Sequence, residues 1–235
     1  MSRFPPASLA VAVTDDAERI SATLWAARLA ARHRAPLQVI HAYRLPAYAG
    51  TAWTTAAKAA DAVRISARAV VVGAQALGRG EGAEVNASTV TGDPTALLED
   101  VSWLVDMLVM GSPTVDHDDS VNVAHLVLRA GCPLVMVPPL PRGGGTVAVV
   151  SGPADAPQDA VDLAADVALS AGAKLRVLPS ADAGAVCDSA LALADECSAV
   201  LVAVGADDVE LARATADAAR RRGAVVIAVP PATLG

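Results

Sequence analysis

Two nine-residue stretches decide the reading: GCPLVMVPP at 131–139 and GAVVIAVPP at 223–231. Each opens on glycine, runs through four to six apolar residues and stops at a double proline. A run with no polar alternation reads as a strand covered on both faces, the mark of a parallel sheet. Proline lacks the N–H that a ladder needs, so each run is closed at its C-terminal end. Two such endings in one chain predict one unit written twice.

Working outward from the first ending, a helix is expected over Ser120–Ala130 and a strand at Met107–Gly111 (MLVMG). Gly92-Asp93-Pro94-Thr95 opens another helix, with Asp93 as cap and Pro94 at its first position. Leu9–Thr14 (LAVAVT), Leu37–Ala42 (LQVIHA) and Glu84–Val90 read as strands. Helices over Ala17–His33 and about Thr54–Leu77 lie between them, and Gly78, Gly80 and Gly82 read as a turn. Five strands alternate with four helices, which predicts a parallel sheet with helices on both faces.

Upstream of the second ending, Thr146–Val150 matches the first strand and Ala156–Ala171 the first helix. Lys174–Leu178 matches the second strand and Ala199–Val204 the fourth. A single helix, about Gly184–Glu196, fits between the second and fourth strands, so the second copy lacks a third strand. The reading is a five-stranded domain over 1–140, a linker over 141–145 (PRGGG) and a shortened domain over 146–235. The fold class is α/β: two Rossmann-like, doubly wound parallel-sheet domains in tandem.

Composition narrows the function. Of the 235 residues, 54% are hydrophobic and 3% aromatic, so the core is Ala, Val and Leu, with little surface for stacking bases. The net charge of −7 and the lack of a basic patch beyond Arg220–Arg222 argue against a nucleic-acid partner. The cysteines Cys132, Cys187 and Cys197 form no metal or redox pair and read as thiols of a reduced compartment. Met1–Ser8 has no leader character and no run is long enough to cross a bilayer, so a cytoplasmic protein without a membrane partner is expected. Only Lys58 and Lys174 are lysines, and neither stands in a phosphate-loop signature.

Four stretches of the first half carry a family resemblance: VAVTDD with ATLWAARLAARHRAPLQVIHAY, then TGDPTALLE, MLVMGS, and SVNVAHLVLRAGCPLVMVPP. They resemble the universal stress protein family, whose members have this doubly wound sheet. The resemblance implies a stress-response role and pairing through the fifth strands. Here that places Val135 and Val137 opposite Val226 and Ala228 inside one chain, an intramolecular pseudo-dimer. Some members bind ATP and others do not.

In an open parallel sheet, ligands sit beyond the carboxyl ends of the strands. A nucleotide site is accordingly expected at Thr14, Asp15, Ala42, Met110, Gly111, Ser120 and Val121, with the helix start at Ser120 offering N–H groups to phosphate. ATP-binding members carry G-x2-G-x9-G-[ST] after the fourth strand. Here Gly111 and Ser120 match, Thr114 and Asp119 replace the second and third glycines, and the spacer is five residues short. Asp116, Asp118 and Asp119 add negative charge where phosphates would lie. The strand-end aspartate of the family falls on Thr14, one residue before Asp15.

The other constellations are bland. Asp116-His117-Asp118-Asp119 reads as a solvated loop and not a metal site. Asp15-Asp16 lacks the further aspartate and lysine of a receiver domain, and neither His41 nor His125 accompanies a nucleophile. The expectation is a non-enzymatic stress protein that needs no cofactor and acts on an unidentified protein partner, its ATP site largely eroded. The alternative is a regulator that binds ATP or AMP in the first half alone.

Overall fold

Apolar, β-branched runs flanked by proline and glycine set the strands. A computed structural model describes residues 6–14, 18–45, 53–112, 121–142, 145–151, 158–179, 183–205, 207–220 and 223–230. The first half contributes β1 (Leu9–Ala12), α1 (Glu18–His33), β2 (Leu37–Tyr43), α2 (Trp53–Gly80) and β3 (Val85–Thr91). It continues with α3 (Pro94–Ser102), β4 (Met107–Gly111), α4 (Val123–Arg129) and β5 (Leu134–Val137). The second half contributes β6 (Thr146–Ser151), α5 (Gln158–Ala171), β7 (Lys174–Pro179), α6 (Ala183–Glu196), β8 (Ala199–Ala203), α7 (Val209–Arg220) and β9 (Val225–Val229).

All nine strands form one sheet, in the order β3-β2-β1-β4-β5-β9-β8-β6-β7. Every neighbouring pair is parallel except β5 and β9, which meet antiparallel at the seam. Outward from the seam, β5-β4-β1-β2-β3 is answered by β9-β8-β6-β7, so the second side stops one strand short. The two missing elements are the counterparts of α2 and β3.

Side chains alternate across each strand. Leu9, Val11, Val109, Val135, Val149 and Ile227 face α1, α2 and α5. Ala10, Leu108, Met136, Val150, Val200 and Val226 face α3, α4, α6 and α7. Both faces are therefore apolar along the central strands, which is why these runs show no polar alternation.

Several boundaries differ from the sequence reading, each for a local reason. The β5–β9 register pairs Leu134 with Ala228, Val135 with Ile227 and Met136 with Val226, one step from the expected match. The expected antiparallel pairing would set Val135, which packs on the α1 face, opposite Ala228, which packs on the opposite, α7 face. Pairing with Ile227 keeps both partners on one face. Gly78 and Gly80 are helical and do not form a turn, and a Cβ at Gly78 would come 2.9 Å from Val85 Cγ2. Glycine there lets α2 press against β3, and the real turn is at Gly82, with φ of +83°. The fourth helix begins at Val123 and not at Ser120.

Candidate functional site

Register assembles the carboxyl edge of the first half. Ala12 pairs with Ile40 on one side and with Met110 on the other. Two residues further along each chain, Thr14, Ala42 and Ser112 come to one level of the edge, with Gly111 just below. Thr14 is exposed, Ala42 and Gly111 are half-buried, and Met110 is buried beneath them. Val121 is half-buried and precedes α4. Asp15 and Ser120 lie outside the described residues, as do Thr114 and the acidic stretch 116–119.

Two of the backbone donors at the start of α4, those of Asn122 and His125, are already engaged. Asn122 caps the helix, and its side-chain oxygen accepts from the His125 N–H at 3.1 Å. The Asn122 N–H in turn donates to Thr95 Oγ at 2.9 Å. A phosphate arriving at this helix start would displace contacts already made. Sequence reading placed the start at Ser120 and passed over Asn122. The signal was present, since Asn directly before the periodic run VAHLVL has the form of an N-cap.

Ser112 belongs to the strand ends the sequence reading points to, but not to the site residues it selects. It is 7% exposed, and its Oγ has no hydrogen-bond partner among the described residues. Its backbone N–H donates to the Val137 carbonyl at 2.9 Å, which holds it at the mouth of the β4–β5 gap. No base lies within hydrogen-bond reach of this hydroxyl among the described residues. His41 is equally committed: Nδ1 donates to the Val13 carbonyl at 2.6 Å, and the ring stacks on Tyr43 with centroids 6.0 Å apart.

Beside the edge, Asp93 caps α3 through the Ala96 N–H at 3.1 Å, with Pro94 at the first helical position, as the sequence predicts. The Ala96 N–H, and then the paired guanidinium of Arg44, hold the Asp93 carboxyl below its ordinary range. Glu99 on α3 accepts from His125 at 2.9 Å and lies 3.6 Å from Arg129.

The corresponding edge of the second half is acidic. β8 ends before Gly205, and the Asp208 carboxylate caps α7 by accepting from the Leu211 N–H at 3.0 Å. A carboxylate on a helix N-terminus fills the place a phosphate would take and repels it. Among the described residues, no group of three or more His, Cys, Asp or Glu is placed to hold a metal ion. No helix among them is long and apolar enough to cross a membrane.

Comparison with known proteins agrees with this geometry. Residues 8–138 match the model of the universal stress protein family. No curated protein matches the chain in sequence. A universal stress protein from Archaeoglobus fulgidus DSM 4304 superposes with a TM-score of 0.60 at 10% identity, covering 94% of each chain. A functionally unknown protein from Pseudomonas aeruginosa PAO1 superposes with a TM-score of 0.59 at 13% identity, covering 97% of this chain and 94% of its own. At these identities the likeness concerns the fold, and it extends over nearly the whole chain. With more than half of its residues inside the family match and its sheet ordered as described, the chain belongs to the universal stress protein family.

Proposed function

We propose that this protein serves the stress response without catalysis, as an unequal duplication in which neither half keeps a working ATP cleft. The observation that carries the reading is the state of the two helix starts beyond β4 and β8. Each already carries a capping side chain of the protein itself on one of its N–H groups, Asn122 in one case and Asp208 in the other. A triphosphate needs those N–H groups free and a neutral or positive surround. The first half meets neither need fully, and the second presents a carboxylate.

On this reading the second half is a structural partner. Its β9 covers the β5 edge, which would otherwise expose unpaired N–H and C=O groups to other chains. The two halves thus form a pseudo-dimer inside one chain, and function passes through contacts with another protein. Calorimetric titration with Mg-ATP tests the proposal. The expected result is no saturable heat, and micromolar affinity would overturn it.

One observation favours a second reading, a nucleotide-binding regulator that uses the first half alone. The buried Ser112 hydroxyl stands beside Gly111 with no partner among the described residues. If that hydroxyl receives a nucleotide, ATP, ADP or AMP will raise the melting temperature, and Gly111→Leu will abolish the shift.

A further inference from the structure

One hollow lies away from the strand ends. A groove of about 430 Å³ runs over the β5–β9 seam, between α1, α5 and the connection after β5. That volume falls in the range of small-molecule sites, roughly 300–1,000 Å³. Two rows of α1 line one wall, because residues four apart share a helix face. Ser21, Trp25 and Leu29 form one row, and Leu24, Arg28 and Arg32 the other. Leu29 and Val167 are buried at the base. Pro139 is fixed by the Ser21 hydroxyl, which donates to its carbonyl.

The charge of the lining is one-sided. Three arginines, Arg28, Arg32 and Arg142, line the groove, and no Asp or Glu does, in a chain with 25 acids and 18 bases. Arg28 and Arg32 are steadied by carboxylates outside the groove, and Ser170 in its lining also accepts from Arg32. Glu81 accepts from Arg28 Nε at 3.1 Å and from one terminal nitrogen at 3.2 Å. Asp166 accepts from Arg32 Nη1 at 3.2 Å and from His33 at 3.0 Å. A guanidinium has five N–H donors, and these contacts use only part of each set. Arg28 and Arg32 are thus held in place with donors to spare, and one balancing carboxylate for each makes a singly charged guest a better match than a polyphosphate.

We infer that the groove binds an amphipathic carboxylate, its apolar body against Trp25, Leu29 and Val167 and its headgroup on Arg28 and Arg32. The site does not depend on the nucleotide cleft and stands or falls apart from it. An Mg-ATP titration reports on the cleft, and the experiment below reports on the groove.

The test is calorimetric titration of the full chain with decanoate, with decanol as the uncharged body and inorganic phosphate as the charge alone. Decanoate is expected to saturate one site, decanol to bind at least about tenfold more weakly, and phosphate not to bind. The double variant Arg28→Gln, Arg32→Gln should lose about tenfold for decanoate and nothing for decanol. Asp166→Asn breaks the same bridge to α5 but keeps the guanidinium, and it should bind decanoate as tightly as the parent. Ala171→Phe, at the groove mouth, should block both ligands. The inference is overturned if decanoate does not saturate, if decanol binds equally well, or if Asp166→Asn loses as much as the arginine variant.

Discussion

Val39 and Val177 hold the same place in the two halves: Val39 pairs with Val11 on β1, and Val177 pairs with Val149 on β6. Val39 is fully buried, whereas Val177 is 44% exposed. The difference is α2, which packs on α1 and over β2 and β3 and has no counterpart in the second half. The price of the missing unit is an uncovered β7 edge, where the exposed cations Lys174 and Arg176 discourage pairing with another strand. Val39→Ala should cost about 2 kcal/mol and Val177→Ala less than about 1 kcal/mol in denaturant unfolding. Equal costs would mean that something covers β7 in solution.

The ends of α1 and α5 give a second expectation. Both close with the same bond pattern: the Ala35 N–H donates to the Ala30 carbonyl, and the Ala173 N–H to the Ala168 carbonyl, at 2.9 and 2.8 Å. Gly172 makes its turn with φ of +60°, the left-handed region that suits glycine. Arg34 makes the equivalent turn at φ of +54° and carries the steric cost of its Cβ. Arg34→Gly should therefore stabilise the protein by roughly 0.5–1 kcal/mol, seen as a higher denaturant midpoint at unchanged slope.

Asp93 makes stability depend on pH in one direction. Its folded-state carboxyl titrates below the ordinary value, chiefly through the Ala96 N–H and then through Arg44. The charged form is therefore favoured by folding, and the contribution is complete above the ordinary carboxylate pKa of about 3.9. It is lost as the pH falls through the lowered folded value. Asn at position 93 still caps a helix but does not titrate. Asp93→Asn should be the less stable protein near neutrality, and the two melting curves should converge in acid. A gap that persists at low pH would place the effect elsewhere.

Much of this fold was legible because its signals are local. The strands β4 and β5 appear where MLVMG and LVMV stand, since an apolar run closed by Gly or Pro permits little else. Asp93-Pro94 announced α3 in the same way. Non-local facts were hidden. The register at the seam depends on which face Val135 and Ile227 bury, and Gly78 is glycine because Val85 lies across from it. The groove takes residues from α1, from α5 and from the chain after β5, so no spacing in the sequence could assemble it. Ser112 is legible as a strand-end residue, but that its hydroxyl is buried without a partner among the described residues is a matter of three-dimensional packing.

Gly131 shows how one absent side chain lets the ends of α3 and α4 close on each other at the edge of the sheet opposite the candidate cleft. A Cβ there would lie 2.5 Å from Trp103 Cδ2, inside any tolerable contact. The indole belongs to the residue that ends α3, and Ser102 Oγ accepts from the Gly131 N–H at 2.9 Å. The end of α3 and the turn from α4 into β5 are thus clasped by backbone approach and one hydrogen bond. An alanine must push a rigid ring aside, and overpacking of this kind costs about 1–3 kcal/mol. Gly131→Ala should lower stability by that amount, and adding Trp103→Ala should recover part of the loss by opening the space. Additive losses in the double-mutant cycle would show that the two residues do not meet in solution.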